Sequence, residues 1–211
     1  MRFAAWLAAT VAAIATVAAA APASADPPTR VTVVAVFEPI TYGENAYVNG
    51  QLIGVAQGGQ LVTLEQAAPP FAEWAPVAQA TADAAGYYSF KLQPTQIMQY
   101  RTSSQGIPSE RAVQVSVAPR IKLKAEPSGK TSIRFSGTFA PAIVGQSVAI
   151  QRRDPTGSWI TIGNASLRDG RTFQGRIRAH RTTTLRAFFA TDGAHLDGYS
   201  NTVKVTPRAG T

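Results

Sequence analysis

The same ordered set of markers occurs twice in this chain. Gly59, Trp74, Gly86, Tyr100-Arg101 and Val115-Ser116-Val117-Ala118-Pro119 are followed by Gly145, Trp159, Gly170, Leu185-Arg186 and Val203-Lys204-Val205-Thr206-Pro207. Equivalent positions lie 84 to 88 residues apart, a drift that loops of slightly different length produce. An internal duplication of this size predicts two tandem small domains rather than one large one. It also serves as an internal control. Features that recur are expected to serve folding, and function is to be sought in features that do not.

Ahead of the first copy, Met1-Arg2 supplies a short positive start and residues 3–21 are apolar except for Thr10 and Thr16. Ala23-Ser24-Ala25 then offers small residues for cleavage, and Asp26-Pro27-Pro28 breaks any helix beyond them. Residues 1–25 are expected to be a removed signal peptide. A retained anchor is the alternative, since about 18 apolar residues suffice to span a bilayer, but Ala-rich sequence gives it a weak driving force. The expected organisation is residues 26–118 as the first domain, 119–208 as the second and a short tail, 209–211. The chain has no cysteine, so disulfides, a thiol nucleophile, a thiolate metal site and a lipidated cysteine are all excluded. Two domains of about 90 residues must therefore rely on packed cores. A secreted protein follows, either free or associated with the cell surface.

The patterning is β throughout. Ile121-Lys122-Leu123-Lys124 alternates with period two, as do Tyr88-Ser89-Phe90-Lys91-Leu92 and Phe173-Gln174-Gly175-Arg176-Ile177, which sends Phe90, Leu92, Phe173 and Ile177 inward. Residues 60–65 align with 146–151, so that Val62 and Leu64 match Val148 and Ile150 on one inward face. Turn signals such as Gly58-Gly59, Pro69-Pro70, Asp154-Pro155-Thr156-Gly157 and Asp169-Gly170 separate the runs. Residues 78–85 are Ala-rich, yet their counterpart, 163–169, has no helical period, and a strand and loop are expected there. About seven strands per copy predict an all-β protein of two tandem immunoglobulin-like Greek-key β-sandwiches. Alternation alone leaves an immunoglobulin-like and a prealbumin-like strand order both open.

On these strands and turns the copies resemble the bacterial immunoglobulin-like and fibronectin-III-like repeats of exported proteins. The run Thr81-Ala82-Asp83-Ala84-Ala85-Gly86-Tyr87-Tyr88-Ser89-Phe90, kept in part as Arg168-Asp169-Gly170-Arg171-Thr172-Phe173, is also similar to a hairpin of CNA-B-like and carboxypeptidase-regulatory-like sandwiches. Such families act as adhesins, stalks, spacers or accessory binding modules, so the resemblance implies a non-catalytic role. The CNA-B-like resemblance further implies an isopeptide bond from Lys122 or Lys124 to Asn201. No acid lies on an obvious central core strand to assist it, and Gln151 ends one candidate.

Among the repeated markers, Trp74 and Trp159 are expected to plug the sandwich cores, with a ligand platform as the alternative. Arg101 and Arg186 are expected on a solvated face, with an anion contact as the alternative.

Charge is where the copies part. Residues 26–118 carry four basic and seven acidic side chains, net −3, whereas residues 119–211 carry fifteen against five, net +10. Such an excess attracts polyanions and anionic surfaces. The candidate anion-binding residues are Lys122 and Lys124 on one strand face, Arg176 and Arg178 on another, and Arg152 and Arg153 at a strand end. A generally basic, solubilising surface and docking of the acidic first domain on the basic second are the competing explanations.

Catalysis has little support. His180 and His195 both belong to the second copy, and the densest constellation, Asp192-Gly193-Ala194-His195-Leu196-Asp197-Gly198-Tyr199-Ser200, fits no metal or triad template and is expected to be turn chemistry. No enzyme activity, cofactor or metal is expected, and no nucleic-acid-binding motif is evident. The expected function is an exported, non-catalytic binding or adhesion module whose second domain engages an anionic wall polymer or glycan. The alternative is a structural spacer or accessory subunit that binds another secreted protein.

Overall fold

Alternating sequence becomes pleated strand in both halves of the chain, with no helix among the described residues. The structure is a computed structural model and describes residues 26–54 and 57–208. The expected signal segment and residues 209–211 lie outside the described residues.

The N-terminal half contains β1 (Arg30–Val31), β2 (Val34–Val36), β3 (Ile40–Thr41), β4 (Ala46–Ile53), β5 (Leu61–Ala67), β6 (Ala75–Thr81), β7 (Tyr87–Leu92), β8 (Met98–Ser104), β9 (Ile107–Pro108), β10 (Val113–Val115) and β11 (Val117–Ala118). The C-terminal half contains β12 (Arg120–Pro127), β13 (Ser132–Ala140), β14 (Ser147–Arg153), β15 (Trp159–Ser166), β16 (Thr172–Arg178), β17 (Thr183–Phe189), β18 (Gly198–Tyr199) and β19 (Val203–Val205).

Each half consists of two main sheets over its own core. In the second, β12-β13-β16 forms one sheet, and β15-β14-β17 forms the other with β18 and β19 both on β17. In the first, β4 lies between β7 and the β1/β2 pair, while the second sheet runs β6-β5-β8-β10. All these pairings are antiparallel, the arrangement that leaves one face packed and the other open to solvent.

Period two decides which side chains meet. Val62, Leu64, Val148 and Ile150 are fully buried, Phe90 and Phe173 are buried, and Leu92 and Ile177 pack against the two cores. The Ala-rich stretch forms β6 and a turn because its strand pairs along β5. At Gly137 a missing side chain is what permits packing, since a Cβ there would lie 2.1 Å from the ring of Phe173, which fills the space. Gly86 and Gly170 hold φ of 83° and 65°, and a Cβ would lie 2.5 Å from the Leu52 carbonyl or 2.6 Å from the Ile143 amide. Both positions favour glycine twice over, through backbone conformation and through space.

The halves join without a long linker. β11 pairs in parallel with β3, Pro119 follows, and β12 begins at Arg120. The loop after β17 returns to the first half, where Ile97 N–H donates to the Ala194 carbonyl at 2.7 Å and Leu196 N–H to the Val117 carbonyl at 2.9 Å.

Candidate anion-binding cleft

The basic residues of the second half face solvent because their neighbours face the core. Ile121 and Leu123 turn inward on β12, leaving Lys122 and Lys124 exposed, and Phe173 does the same on β16 for Gln174, Arg176 and Arg178. On β14, Val148 and Ile150 enter the core, a register shift follows at Ile150/Gln151, and the strand ends on half-buried Arg152 and exposed Arg153.

Two turns then bring separate basic clusters to one end of the sandwich. The turn after β14 is built on Asp154, whose carboxylate accepts from the Thr156 hydroxyl at 2.7 Å and the Ser158 N–H at 2.8 Å. The Thr156 hydrogen bond chiefly, with backbone N–H groups adding to it against an opposing burial effect, holds the Asp154 carboxyl below the usual range. Its charge is thus engaged by its own turn. Arg153 Nε donates to the Gly157 carbonyl of the same turn at 3.2 Å. The turn after β16 supplies His180 and Arg181.

Between these turns lies an open cleft of ≈ 710 Å³, lined by Arg152, Arg153, Asp154, Arg178, His180 and Arg181. Thr183 also lines it, and the buried Thr183 hydroxyl has no hydrogen-bond partner among the described residues. A buried polar group without a partner costs about 1–3 kcal/mol, a local cost of placing Thr183 on the inward face of β17.

Lys122 and Lys124 fall elsewhere. They line a second groove of ≈ 640 Å³ on the outer face of β12-β13-β16, together with Ser136, Thr138, Arg168 and Gln174. Arg176 stands between cleft and groove, directly across from Arg134 of β13. The six expected residues are therefore divided three, two and one. None of them forms an ion pair among the described residues, whereas cations of the first half pair as Arg101–Glu65 and Arg30–Glu110. Arg181 in the cleft and Arg168 in the groove join the six expected residues, and no one-dimensional pattern announces their convergence with particular strands. The orphan hydroxyl of Thr183 has no sequence signal at all.

The tryptophans correct an expectation. Trp74 and Trp159 do not plug the cores; both are half-buried on the outer face of the β5/β6 or β14/β15 sheet, each under an arginine. Arg101 lies 4.6 Å from the Trp74 ring centroid and donates from Nε to Glu65 at 2.7 Å. Arg186 lies 4.3 Å from Trp159 and 4.4 Å from Tyr199, and donates from Nε to Gln151 at 2.8 Å. The expected solvated-face arginines and the expected core aromatics thus form one stacked unit in each half.

The CNA-B-like isopeptide is also corrected. Asn201 spends its amide on the backbone of Leu123, accepting from the N–H at 2.9 Å and donating to the carbonyl at 3.0 Å, while Lys122 and Lys124 point to the opposite, exposed face. Asn201 extends the β12 edge in the manner of a strand.

The His195 loop brings together Asp192 and His195 but not Ser200. The Ser200 hydroxyl accepts from Ala187 N–H at 2.8 Å and donates to the Asn201 carbonyl at 2.7 Å. His195 is buried, with Nδ1 3.1 Å from both carboxylate oxygens of Asp192 and Nε2 3.1 Å from the Thr95 carbonyl of the other half. Burial opposes ionisation of Asp192, but hydrogen bonds from the His195 ring and backbone, its charge and the Ala194 N–H outweigh this and lower the carboxyl below its usual range. Among the described residues no group of three or more His, Cys, Asp or Glu is placed to hold a metal ion.

No protein-family model matches the chain, and no curated protein shows significant similarity to it.

Proposed function

We propose that the protein is an exported, non-catalytic binding module whose basic C-terminal half engages an anionic polymer at a cell surface or in the extracellular space. The observation that carries this reading is the convergence of Arg152, Arg153, Arg178 and Arg181 on one cleft whose single carboxylate, Asp154, is tied into its own turn. Arginine forks match carboxylate and phosphate oxygens bidentately. The two-sheet order, three strands against five with the last strand beside β17, supports an immunoglobulin-like or fibronectin-III-like relationship over a prealbumin-like one, and the recurring Trp–Arg stack supports a duplicated unit.

Retention of the purified protein on isolated wall polymer tests the reading. Counterion release makes such binding fall steeply with salt. Retention is expected at low ionic strength, with loss at high salt and in the variant with Arg152, Arg153, Arg176 and Arg178 all changed to Gln. Retention by that variant equal to the parent's would remove the proposal. A spacer role is favoured by a different observation, the hydrogen-bonded junction between the halves, and predicts a fixed angle between them whether or not the arginines are present.

A further inference from the structure

We infer that the arginine cleft and the lysine groove are two stations of one track, and that its occupant is a flexible linear polymer of phosphodiester-linked polyol or sugar units. The inference rests on the anion-binding reading above and adds a path, a minimum length and a chemical class.

The path is β16. Gln174 belongs to the groove, Arg178 to the cleft, and Arg176 is the outward residue between them. Successive outward residues of a strand lie about 7 Å apart, and the seven residues of β16 span roughly 20 Å. An anion small enough for one station cannot reach the other.

Arg176 gives a second argument. It faces Arg134 directly across the β13/β16 pair, and like charges in that position destabilise a sheet. The nearest compensation is Glu126, which approaches Arg134 only to 4.0 Å with both side chains more than half exposed, an arrangement worth little. A string of anions laid along β16 would neutralise Arg176 and Arg134 together.

Occupant chemistry follows from what lines the route. Four of the six expected cations are arginines, which suits singly charged diester oxygens. Hydroxyls of Ser136 and Thr138 in the groove offer partners for polyol oxygens. No exposed Phe, Tyr or Trp ring lines either station, Phe173 being buried beneath the groove, so stacking platforms that hold single-stranded nucleic acid are missing. The route turns from a sheet face onto the end of the sandwich, which a flexible chain follows more readily than a stiff ribbon of rings.

The test is titration of the purified protein with poly(glycerol phosphate) fragments of two and eight units, with a polyuronate and an oligothymidylate of eight charges as comparators. The eight-unit fragment is expected to bind at least about tenfold more tightly than the two-unit one, as linked contacts add. Lys122→Gln/Lys124→Gln should erase that gain. Arg152→Gln/Arg153→Gln should weaken both fragments. Lys122, Lys124 and Arg153 are exposed and Arg152 is half-buried, and unchanged melting curves will show that the variants are folded. If the lysine variant binds the eight-unit fragment like the parent while the arginine variant does not, the track fails and the cleft reading stands. If the polyuronate or the oligothymidylate binds as tightly as the eight-unit phosphodiester, the assigned polymer class fails. If no polyanion binds, both readings fail.

Discussion

His195 in the C-terminal half hydrogen-bonds through Nε2 to the backbone carbonyl of Thr95 in the N-terminal half, while Asp192 holds Nδ1 on the opposite side of the ring. The ring thus bridges a carboxylate of its own loop and a backbone carbonyl of the other half. With Ile97 N–H on the Ala194 carbonyl and Leu196 N–H on the Val117 carbonyl, this buried imidazole fastens a loop of one half to a loop of the other. His195→Ala is therefore expected to loosen the angle between halves and weaken the junction by about 1.5–3 kcal/mol, the range for hydrogen bonds to charged groups. Small-angle scattering should broaden, and calorimetry should resolve two transitions where the parent shows a more cooperative one. An unaltered scattering curve together with an unaltered melt would show that His195 is not the fastening.

Acid acts on the same junction through Asp192. Its carboxyl is held below its usual range in the folded state, so its contribution is present above the unfolded value of about 3.9 and is lost as pH falls through the lowered folded value. Linkage then requires stability to decline on acidification in this window. Asp192→Asn should be less stable than the parent at pH 6 and converge with it toward pH 3, as urea unfolding at stepped pH will show. A constant difference across that range would contradict the assignment.

The strand map was legible because alternation is enforced by burial. Placing Val62, Leu64, Val148 and Ile150 inward follows from one-dimensional pattern, and so does placing Lys122, Lys124, Arg176 and Arg178 outward. Which outward residues become neighbours depends on strand order and on turns, and it was not legible. Arg178 meets Arg152 because β16 and β14 end at the same side of the sandwich, although they lie in different sheets. The tryptophans depart from expectation for a related reason. A large aromatic repeated in two copies suggests a core, but the outer face of a sheet can bury half an indole beneath a guanidinium, and the Arg markers beside Tyr100 and Leu185 were the missing partners. The His195 loop looked like turn chemistry, which it is, yet the Thr95 carbonyl that gives the imidazole its role is 100 residues away.

The two stacked units should differ in their response to salt. Arg101 is held by a carboxylate, Glu65, and Arg186 by a neutral amide, Gln151. A cation over a partly exposed ring contributes about 0.5–1 kcal/mol, so double-mutant cycles on Arg101/Trp74 and Arg186/Trp159 should return couplings of that size. The Arg101/Glu65 coupling should shrink between low and high salt through screening, and the Arg186/Gln151 coupling should change little. Equal salt dependence in the two cycles would contradict the roles given to Glu65 and Gln151.

Tyr88 provides the sharpest test of the N-terminal core. Its ring fills the space left by Gly50, and its hydroxyl bonds to the Thr32 carbonyl and, at 2.6 Å, to the Thr102 hydroxyl of the facing sheet. Thr102 is fully buried. Tyr88→Phe keeps the ring and strips this hydrogen-bonding partner from two groups, so it should destabilise by about 1–3 kcal/mol. Adding Thr102→Val removes one of the stranded groups and should recover part of that loss, because replacing both partners by apolar groups of similar shape approaches neutrality. Chemical denaturation of the two single variants and the double variant measures the coupling directly. A double variant whose loss equals the sum of the singles would show that the hydroxyl pair does not join the two sheets.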